Sequence, residues 1–442
     1  MRAPARALSI EMRDITTPVP PAPGWALVRP ALSGICATDL DRLQAAGEPS
    51  LLDAYAGTDP VVPGHEVVGV VERAVGTRWA REGQRVLVEP ILRCIHKGLP
   101  ECRRCRAGDT HLCENRDRSG ALCSGPAIGT SPHAGGAWSE GFLVHEDMLV
   151  PADGISDQRG VLAEPAAAAL HAALRWQRRG DRVAVTGSSA QTRLLVASLR
   201  RMHPDLEITV IGDIAGAPMK RKRRRRHAVR TADHAAADVP ALRSIGASCV
   251  YQGTGEDVLC MVAEHINARR MRAVSGHLPV LDGGLDAVFD CIGTANSIDV
   301  GLRLLRGGGT FVLAGRSRRH AIEWPLVWAR ELTVAGASAY GREAHGQRTF
   351  AQVRDWLADP AFPIDALVTH RFPLDEFQAA LQVAQSGTAA GAVKVVFEGP
   401  VAMLRSDRDT QAANQEPTLD EPLLLHATAA HSREQRTAQT PR

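Results

Sequence analysis

The sequence predicts an α/β protein in two parts, a small irregular β-barrel followed by a doubly wound parallel sheet. Three observations predict it. Up to about residue 150, short apolar runs are broken repeatedly by proline and glycine, as in a barrel of short strands. From about residue 160, strand-like and helix-like segments alternate, which argues for parallel strands joined by crossover helices. Cysteine, histidine and glutamate stand on short turns in the first part, and these side chains build zinc sites. With 442 residues, the chain exceeds one compact core.

Residues 1 to 155 form the first part. Strands are expected at Trp25–Val28, Val67–Val71 and Arg85–Val88, with Phe142–His145 following the turn Ala134-Gly135-Gly136. Residues 156 to 318 form the second. Alanine-rich Leu162–Leu174 reads as a helix. Asp181–Thr186 is a buried strand closed by Gly187, Ala190–Met202 a helix, and Glu207–Ile211 a second strand ending at Gly212-Asp213. Leu285–Asp290 is a strand, Ser297–Leu305 a helix, Gly307–Gly309 a turn, and Thr310–Gly315 a further strand. The pattern breaks from 218 to 240, where the basic run Lys220–Arg226 precedes alanine-rich polar sequence. A solvated insertion, neither core strand nor helix face, is expected there. Residues 319 to 400 return to the first part, with Leu332–Ala335, helices near Gln347–Leu357 and Leu374–Gln385, and a last strand Val393–Phe397. Residues 401 to 442 are polar, alanine-rich and proline-containing, and are expected to be disordered.

A hydrophobic fraction of 44%, a charged fraction of 23% and a net charge of +3 are ordinary, and exclude nucleic-acid binding by overall charge. The run Lys220–Arg226 has no interleaved aromatics and no companion basic stripe, so nucleic-acid binding through it is the weaker reading. No stretch approaches the roughly 18 apolar residues of a membrane span. Met1–Arg13 lacks an apolar signal core, so a cytoplasmic protein is expected. Its nine cysteines then read as metal thiolates or buried thiols rather than disulfides. Cys249, Cys260 and Cys291 are scattered and read as buried small hydrophobes.

Cys102-x2-Cys105-x7-Cys113 lies on a basic loop at a spacing that lets three thiols meet one tetrahedral ion. Cys94 is the natural fourth ligand, and Cys123 or His96 could substitute. Cys36 and His65 form a second constellation with Glu66 and Glu164. His65 and Glu66 are adjacent, so their side chains diverge on any regular backbone. His65 is the firm ligand. Glu66 is either a ligand or a partner that holds one, and Glu164 competes for the fourth place. Gly64 and Gly69 are expected to shape the turn around His65.

These motifs resemble those of a known family. Gly34-Ile35-Cys36-Ala37-Thr38-Asp39, Gly64-His65-Glu66-x2-Gly69, the cysteine cluster and Leu162-Ala163-Glu164-Pro165 are similar to motifs of the zinc-dependent medium-chain alcohol dehydrogenases. The similar branch contains sorbitol, threonine and glucose dehydrogenases, in which a Glu-Pro pair replaces a ligand cysteine. The resemblance runs from Trp25 to Phe397, apart from the insertion. Two departures are a Gly69–Gly76 spacing one residue longer than usual and a displaced first structural cysteine. The resemblance implies a GroES-like barrel and a Rossmann domain binding NAD or NADP. It implies a catalytic zinc on Cys36, His65 and Glu66 or Glu164, and a structural zinc on the four clustered cysteines. It further implies hydride transfer between an alcohol or polyol and the nicotinamide, with Thr38 receiving the alcohol proton and Asp39 orienting a ligand. Homo-oligomers that extend the nucleotide-domain sheet are implied too, with Thr310–Ala314 as the edge.

A dinucleotide loop calls for Gly-x-Gly-x-x-Gly after the first strand. Here Gly187 keeps the first glycine, while Ser189 and Thr192 replace the others. Ser189 narrows the approach of a phosphate, and Thr192 is expected to loosen helix-to-strand packing. A zinc-binding member of the family that does not turn over is therefore the alternative reading. Asp213 after the second strand favours NAD, through hydrogen bonds from the ribose, whereas the nearby arginines favour NADP. Gly293 and Gly315 end later strands where the nicotinamide half would lie.

Overall fold

The computed structural model describes residues 10–43, 60–215, 233–271, 278–343 and 346–400. The run Lys220–Arg226 and residues 401–442 lie outside these, as do the side chains of 213, 215 and 233–237. The strands are β1 Trp25–Gly34, β2 Glu66–Val75, β3 Arg85–Val88, β4 Phe142–His145, β5 Leu149–Pro151, β6 Arg182–Thr186, β7 Glu207–Ala215 and β8 Cys249–Thr254. There follow β9 Arg269–Met271, β10 Val280–Asp282, β11 Leu285–Asp290, β12 Leu305–Leu313, β13 Thr333–Gly336, β14 Val368–Pro373 and β15 Lys394–Glu398.

A seven-stranded sheet takes the order β14-β15-β1-β2-β3-β5, with β4 also pairing β1. Its two last strands come from the end of the chain, so residues 368–398 complete the sheet that residue 25 begins. The second sheet is parallel, in the order β13-β12-β11-β6-β7-β8. Val183, Ala184 and Val185 of β6 are buried on both faces, as a central parallel strand requires. The strand order reverses between β6 and β11, and a ligand crevice forms outside the carboxyl ends of strands at such a switch point.

Helix Ala163–Leu174 joins the two sheets. Its alanines let it approach closely, and one continuous apolar cluster runs from Leu32, Val68 and Leu87 through Ala166 and Leu170 to Val183, Val210 and Phe289. No helix among the described residues is long and apolar enough to cross a membrane.

The structure corrects several expectations. Leu332–Ala335 belongs to the second sheet as β13, because its pairing partner is β12. Thr310–Ala314 is consequently not an edge: β12 is flanked by β11 and β13. Gly307–Gly309 falls within the bounds of β12 but in its irregular stretch between the paired residues Leu305 and Thr310, with Gly308 at φ +70°. Of the span expected to be a solvated insertion, residues 218–232 lie outside the described residues. Residues 233–240 open the helix Asp233–Ser244, consistent with the helix propensity of its alanines, and Pro240 is accommodated within it. Cys249, Cys260 and Cys291 are each partly exposed rather than fully buried.

Candidate active site

The site is built where β1 ends. Gly34 lies between Glu66 of β2 and Val396 of β15. A Cβ at position 34 would stand 2.1 Å from the Glu66 Oε2, so only glycine lets that carboxylate cross β1. Beyond it waits Lys394, whose Nζ donates to both Glu66 oxygens at 2.8 and 2.6 Å and to the Ile35 carbonyl at 3.3 Å. Both side chains are buried. Burial works against the Lys394 ammonium, but the facing Glu66 outweighs it and holds the lysine pKa above its ordinary value. Both Glu66 oxygens are thus engaged by a cation supplied by the chain.

His65 points the other way. Its Nδ1 is 3.6 Å from the Asp39 Oδ1, which leaves Nε2 as the nitrogen for a metal. The other Asp39 oxygen, Oδ2, accepts the Cys36 amide at 3.1 Å and so closes the turn that opens helix Ala37–Leu43. In that turn the Cys36 Sγ lies 3.3 Å from the Thr38 Oγ1 and accepts the Thr38 amide at 3.5 Å. Gly64 sets the approach to His65, with φ +96° and no room for a Cβ against Trp138. Gly69 shapes no turn: it lies in β2, where a Cβ would meet the Arg29 carbonyl at 2.4 Å.

Glu164 enters from the first turn of helix Ala163–Leu174. Burial pushes its carboxyl up to about 7, a rise that His65 opposes and Glu66 reinforces. The neighbouring Tyr340 is 1% exposed, and burial together with the Glu164 charge pushes its phenol well above its ordinary value. Cys36, His65 and Glu164 together offer the sulfur, nitrogen and oxygen donors that zinc takes. Burial holds the Glu164 carboxyl up despite His65 and Lys394, and a metal ion at these donors would answer that charge. They do not converge as tightly as the cysteine cluster. Among the described residues, the sets of three or more potential ligand atoms within 4.8 Å of one another are the four cysteines and a separate His96–His145–Asp147 group.

Cys94, Cys102, Cys105 and Cys113 are that closed set. The Cys94 and Cys113 Sγ atoms are 3.5 Å apart. Backbone amides of Cys102, Cys105 and Glu114 donate to the sulfurs of Cys94 and Cys102 at 3.4 to 3.5 Å, a pattern that favours thiolates. The longer step from Cys94 to Cys102 is taken up by the short 3-10 helix Cys94–Lys97 and a left-handed Gly98, φ +69°. Cys123 lies elsewhere, against the Ser131 hydroxyl at 3.3 Å.

The crevice above β6 and β11 is shaped by Gly187, φ +107°, and by Ser189, whose Oγ caps the next helix by accepting the Thr192 amide at 3.4 Å. Thr192 does not loosen the packing. It is fully buried, and its hydroxyl donates to the Thr186 carbonyl at 3.4 Å, in space a Gly187 side chain would need. Asp290, which sequence reasoning passed over, organises the opposite wall. Its carboxylate accepts the Thr186 and Ser297 hydroxyls at 2.6 and 3.0 Å and the Ile292 and Gly293 amides at 3.1 and 3.2 Å. Gly293 and Gly315 allow loop-to-loop contact, since a Cβ on either would lie 2.5 Å from backbone. Arg316 then ties this wall to the metal site, its Nη1 donating to the Thr38 carbonyl at 3.3 Å and its Nε 3.3 Å from the Asp41 Oδ2. β7 continues past Asp213 to Ala215, and the Asp213 side chain lies outside the described residues.

The signal for Lys394 was present in the sequence: one lysine in the apolar strand Val393–Phe397 needs a buried partner. Asp290 likewise closes an apolar strand. The sequence holds no signal that would select Tyr340.

A barrel presenting Cys36, His65 and Glu164, tied through Arg316 to a doubly wound sheet, defines a zinc- and dinucleotide-dependent oxidoreductase. Residues 22–154 match the family model for the alcohol dehydrogenase GroES-like domain, and residues 262–396 match that for a zinc-binding dehydrogenase. An erythritol/L-threitol dehydrogenase of Mycolicibacterium smegmatis is 28% identical over 385 residues, 85% of this chain and 91% of the relative. An L-threonine 3-dehydrogenase of Anaeromyxobacter dehalogenans is 28% identical over 347 residues, 78% and 83% of the two chains. Among solved structures, a Sinorhizobium meliloti protein described as a zinc-binding dehydrogenase bound to NADP has a TM-score of 0.65 at 25% identity. The match covers 89% of this chain and 97% of that one. The chain belongs to the zinc-dependent medium-chain alcohol dehydrogenase-like family.

Proposed function

We propose that the protein moves a hydride between a small alcohol or polyol, or the matching carbonyl, and NAD(P), with Cys36, His65 and Glu164 holding a catalytic zinc. The observation that carries the ligand choice is the Lys394–Glu66 pair, which commits Glu66 to a lysine and leaves Glu164 as the available carboxylate. Zinc supplies a Lewis acid that polarises the substrate oxygen, and the nicotinamide supplies the hydride acceptor or donor. Thr38, beside the Cys36 sulfur, takes the proton of the substrate hydroxyl on oxidation and returns it on reduction. Asp39 fixes the His65 ring through Nδ1, and Asp290 holds the crevice wall against which the nicotinamide half rests. The cysteine cluster holds a structural zinc.

The sequence similarity to polyol and amino-alcohol dehydrogenases favours a substrate with neighbouring polar groups. Metal analysis and oxidation of a panel of diols, polyols and amino alcohols test the reading on wild type and Cys36→Ser. Loss of one metal equivalent together with turnover is expected. Full metal content and full activity in the variant would sink it. Fluorescence titration with NADH and NADPH decides between the two cofactors, and binding of neither would favour a non-catalytic member of the family.

Pairing of two copies through the parallel sheet is part of the same reading. The edge on that side of the sheet is β13, not Thr310–Ala314. Val334 on it is 49% exposed, with Trp324 at 61% and Trp328 at 82% on the preceding helix, an apolar surface beside unpaired backbone.

A further inference from the structure

We infer that His96, His145 and Asp147 form a metal site of their own, distinct from the catalytic and cysteine sites and suited to zinc or a similar divalent transition ion. One donor atom from each lies within 4.8 Å of the other two. Donors of one tetrahedral zinc stand about 3.3 Å apart, so small side-chain adjustments close the site. The three come from separate pieces: the short helix Cys94–Lys97 in the cysteine lobe, the end of β4, and the turn Glu146–Met148.

His96 is 1% exposed, and its Nε2 has no hydrogen-bond partner among the described residues. An orphaned buried ring nitrogen is costly, roughly 1–3 kcal/mol, unless something binds it. Its Nδ1 accepts the Arg93 amide at 3.2 Å, and the ring is hydrogen-bonded to the Ile91 backbone as well. Ligation through Nε2 moves the ring proton to Nδ1, which then gives it to the Ile91 carbonyl in place of accepting the Arg93 amide, the usual arrangement of a ligand histidine. The His145 ring lies 5.1 Å from that of His96, inclined at 37°. Its Nδ1 is 3.9 Å from the Asp147 Oδ2 and accepts the Asp147 amide at 3.2 Å, a long contact that ligation would replace.

The surroundings balance in charge. Arg93 and Arg78 donate to Asp147 at 2.8 and 3.1 Å, and Arg348 donates to Glu89 at 2.6 Å. Against these three guanidiniums stand the carboxylates of Asp147, Glu146 and Glu89. An ion here therefore enters a neutral neighbourhood and must share Asp147 with Arg93. Two imidazoles and a carboxylate select zinc and its first-row neighbours over calcium or magnesium. Such a site pins the cysteine lobe to the barrel corner at β4.

The test uses the full chain loaded with cobalt in place of zinc, reading total metal per chain and the thiolate-to-cobalt absorption separately. Wild type is expected to hold one metal equivalent more than His145→Gln and Asp147→Asn, at equal thiolate absorption in all three. His96→Asn is expected to match them if the cysteine lobe stays filled. Equal metal content in wild type and in His145→Gln and Asp147→Asn would overturn the inference. So would metal lost only together with the thiolate signal. Neither readout depends on turnover, so failure of the proposed activity leaves this result distinct.

Discussion

Residue by residue, the site is governed by which side chain answers which charge. Glu66 is the clearest case. Its carboxylate is buried and answered by Lys394 at two oxygens, so removing the lysine leaves an uncompensated charge. Lys394→Met should cost about 3–5 kcal/mol in denaturant unfolding of the metal-loaded protein. Adding Glu66→Gln should recover much of that, and a single variant as stable as wild type would mean that the pair is not closed. Cys291 gives a second prediction. Although the residue is partly exposed, desolvation, with the Asp290 charge behind it, pushes its thiol up to about 12. A raised thiol pKa means less thiolate, so at pH 8 Cys291 should alkylate far more slowly than in the urea-unfolded chain. Mass mapping after timed iodoacetamide treatment reads this out, and equal rates would contradict it. Much of this scale was legible in the residues themselves. Cys36, His65 and the four clustered cysteines announce metal by type and spacing. Which carboxylate remains for the metal was not legible, because Lys394 is 328 positions from Glu66.

At the scale of elements, the nucleotide-binding turn shows how a damaged motif can keep its shape. Ser189 supplies the helix cap, and Thr192 fills the space beside Gly187 and bonds the Thr186 carbonyl. Restoring the glycine should therefore harm the fold. Thr192→Gly removes a buried hydroxyl bond and puts glycine inside a helix, at a cost of about 1–2 kcal/mol. Urea midpoints would show it, and a stabilised variant would mean that the hydroxyl is strained rather than satisfied. Element boundaries followed local pattern closely where one face is buried: Arg85–Val88, Phe142–His145, Ala190–Met202 and Leu285–Asp290 all lie where their apolar periodicity puts them. The pattern misled where pairing decides. Leu332–Ala335 reads as part of the returning segment, yet it pairs with β12 and so joins the second sheet as β13.

For the molecule as a whole, the decisive contacts are those that bring distant parts of the chain together. β14 and β15 close the first sheet onto β1, helix Ala163–Leu174 welds the two sheets through one apolar core, and Arg316 links the crevice to the turn of Thr38. β13 is the edge strand at which the proposed pairing of two copies is tested. Val334→Asp places a charge on that edge and should shift the protein toward monomer in sedimentation, with the fold intact by circular dichroism. An unchanged assembly would locate pairing elsewhere.

Local chemistry determined the class of this protein. Ligand types on short turns, a strand–turn–helix at Gly187 and alternating elements after residue 160 are properties of neighbouring residues, and neighbouring residues suffice to specify them. Tertiary structure alone decided that Glu66 belongs to Lys394, that Glu164 is the carboxylate left for the proposed zinc, that β13 rather than β12 is an edge, and that His96 lies with His145 and Asp147 rather than with the cysteine cluster. Each of these is a pairing between residues far apart in the chain. Burial makes such pairings obligatory, since an unanswered charge or ring nitrogen inside the protein is costly, but only the folded backbone sets which partner is within reach.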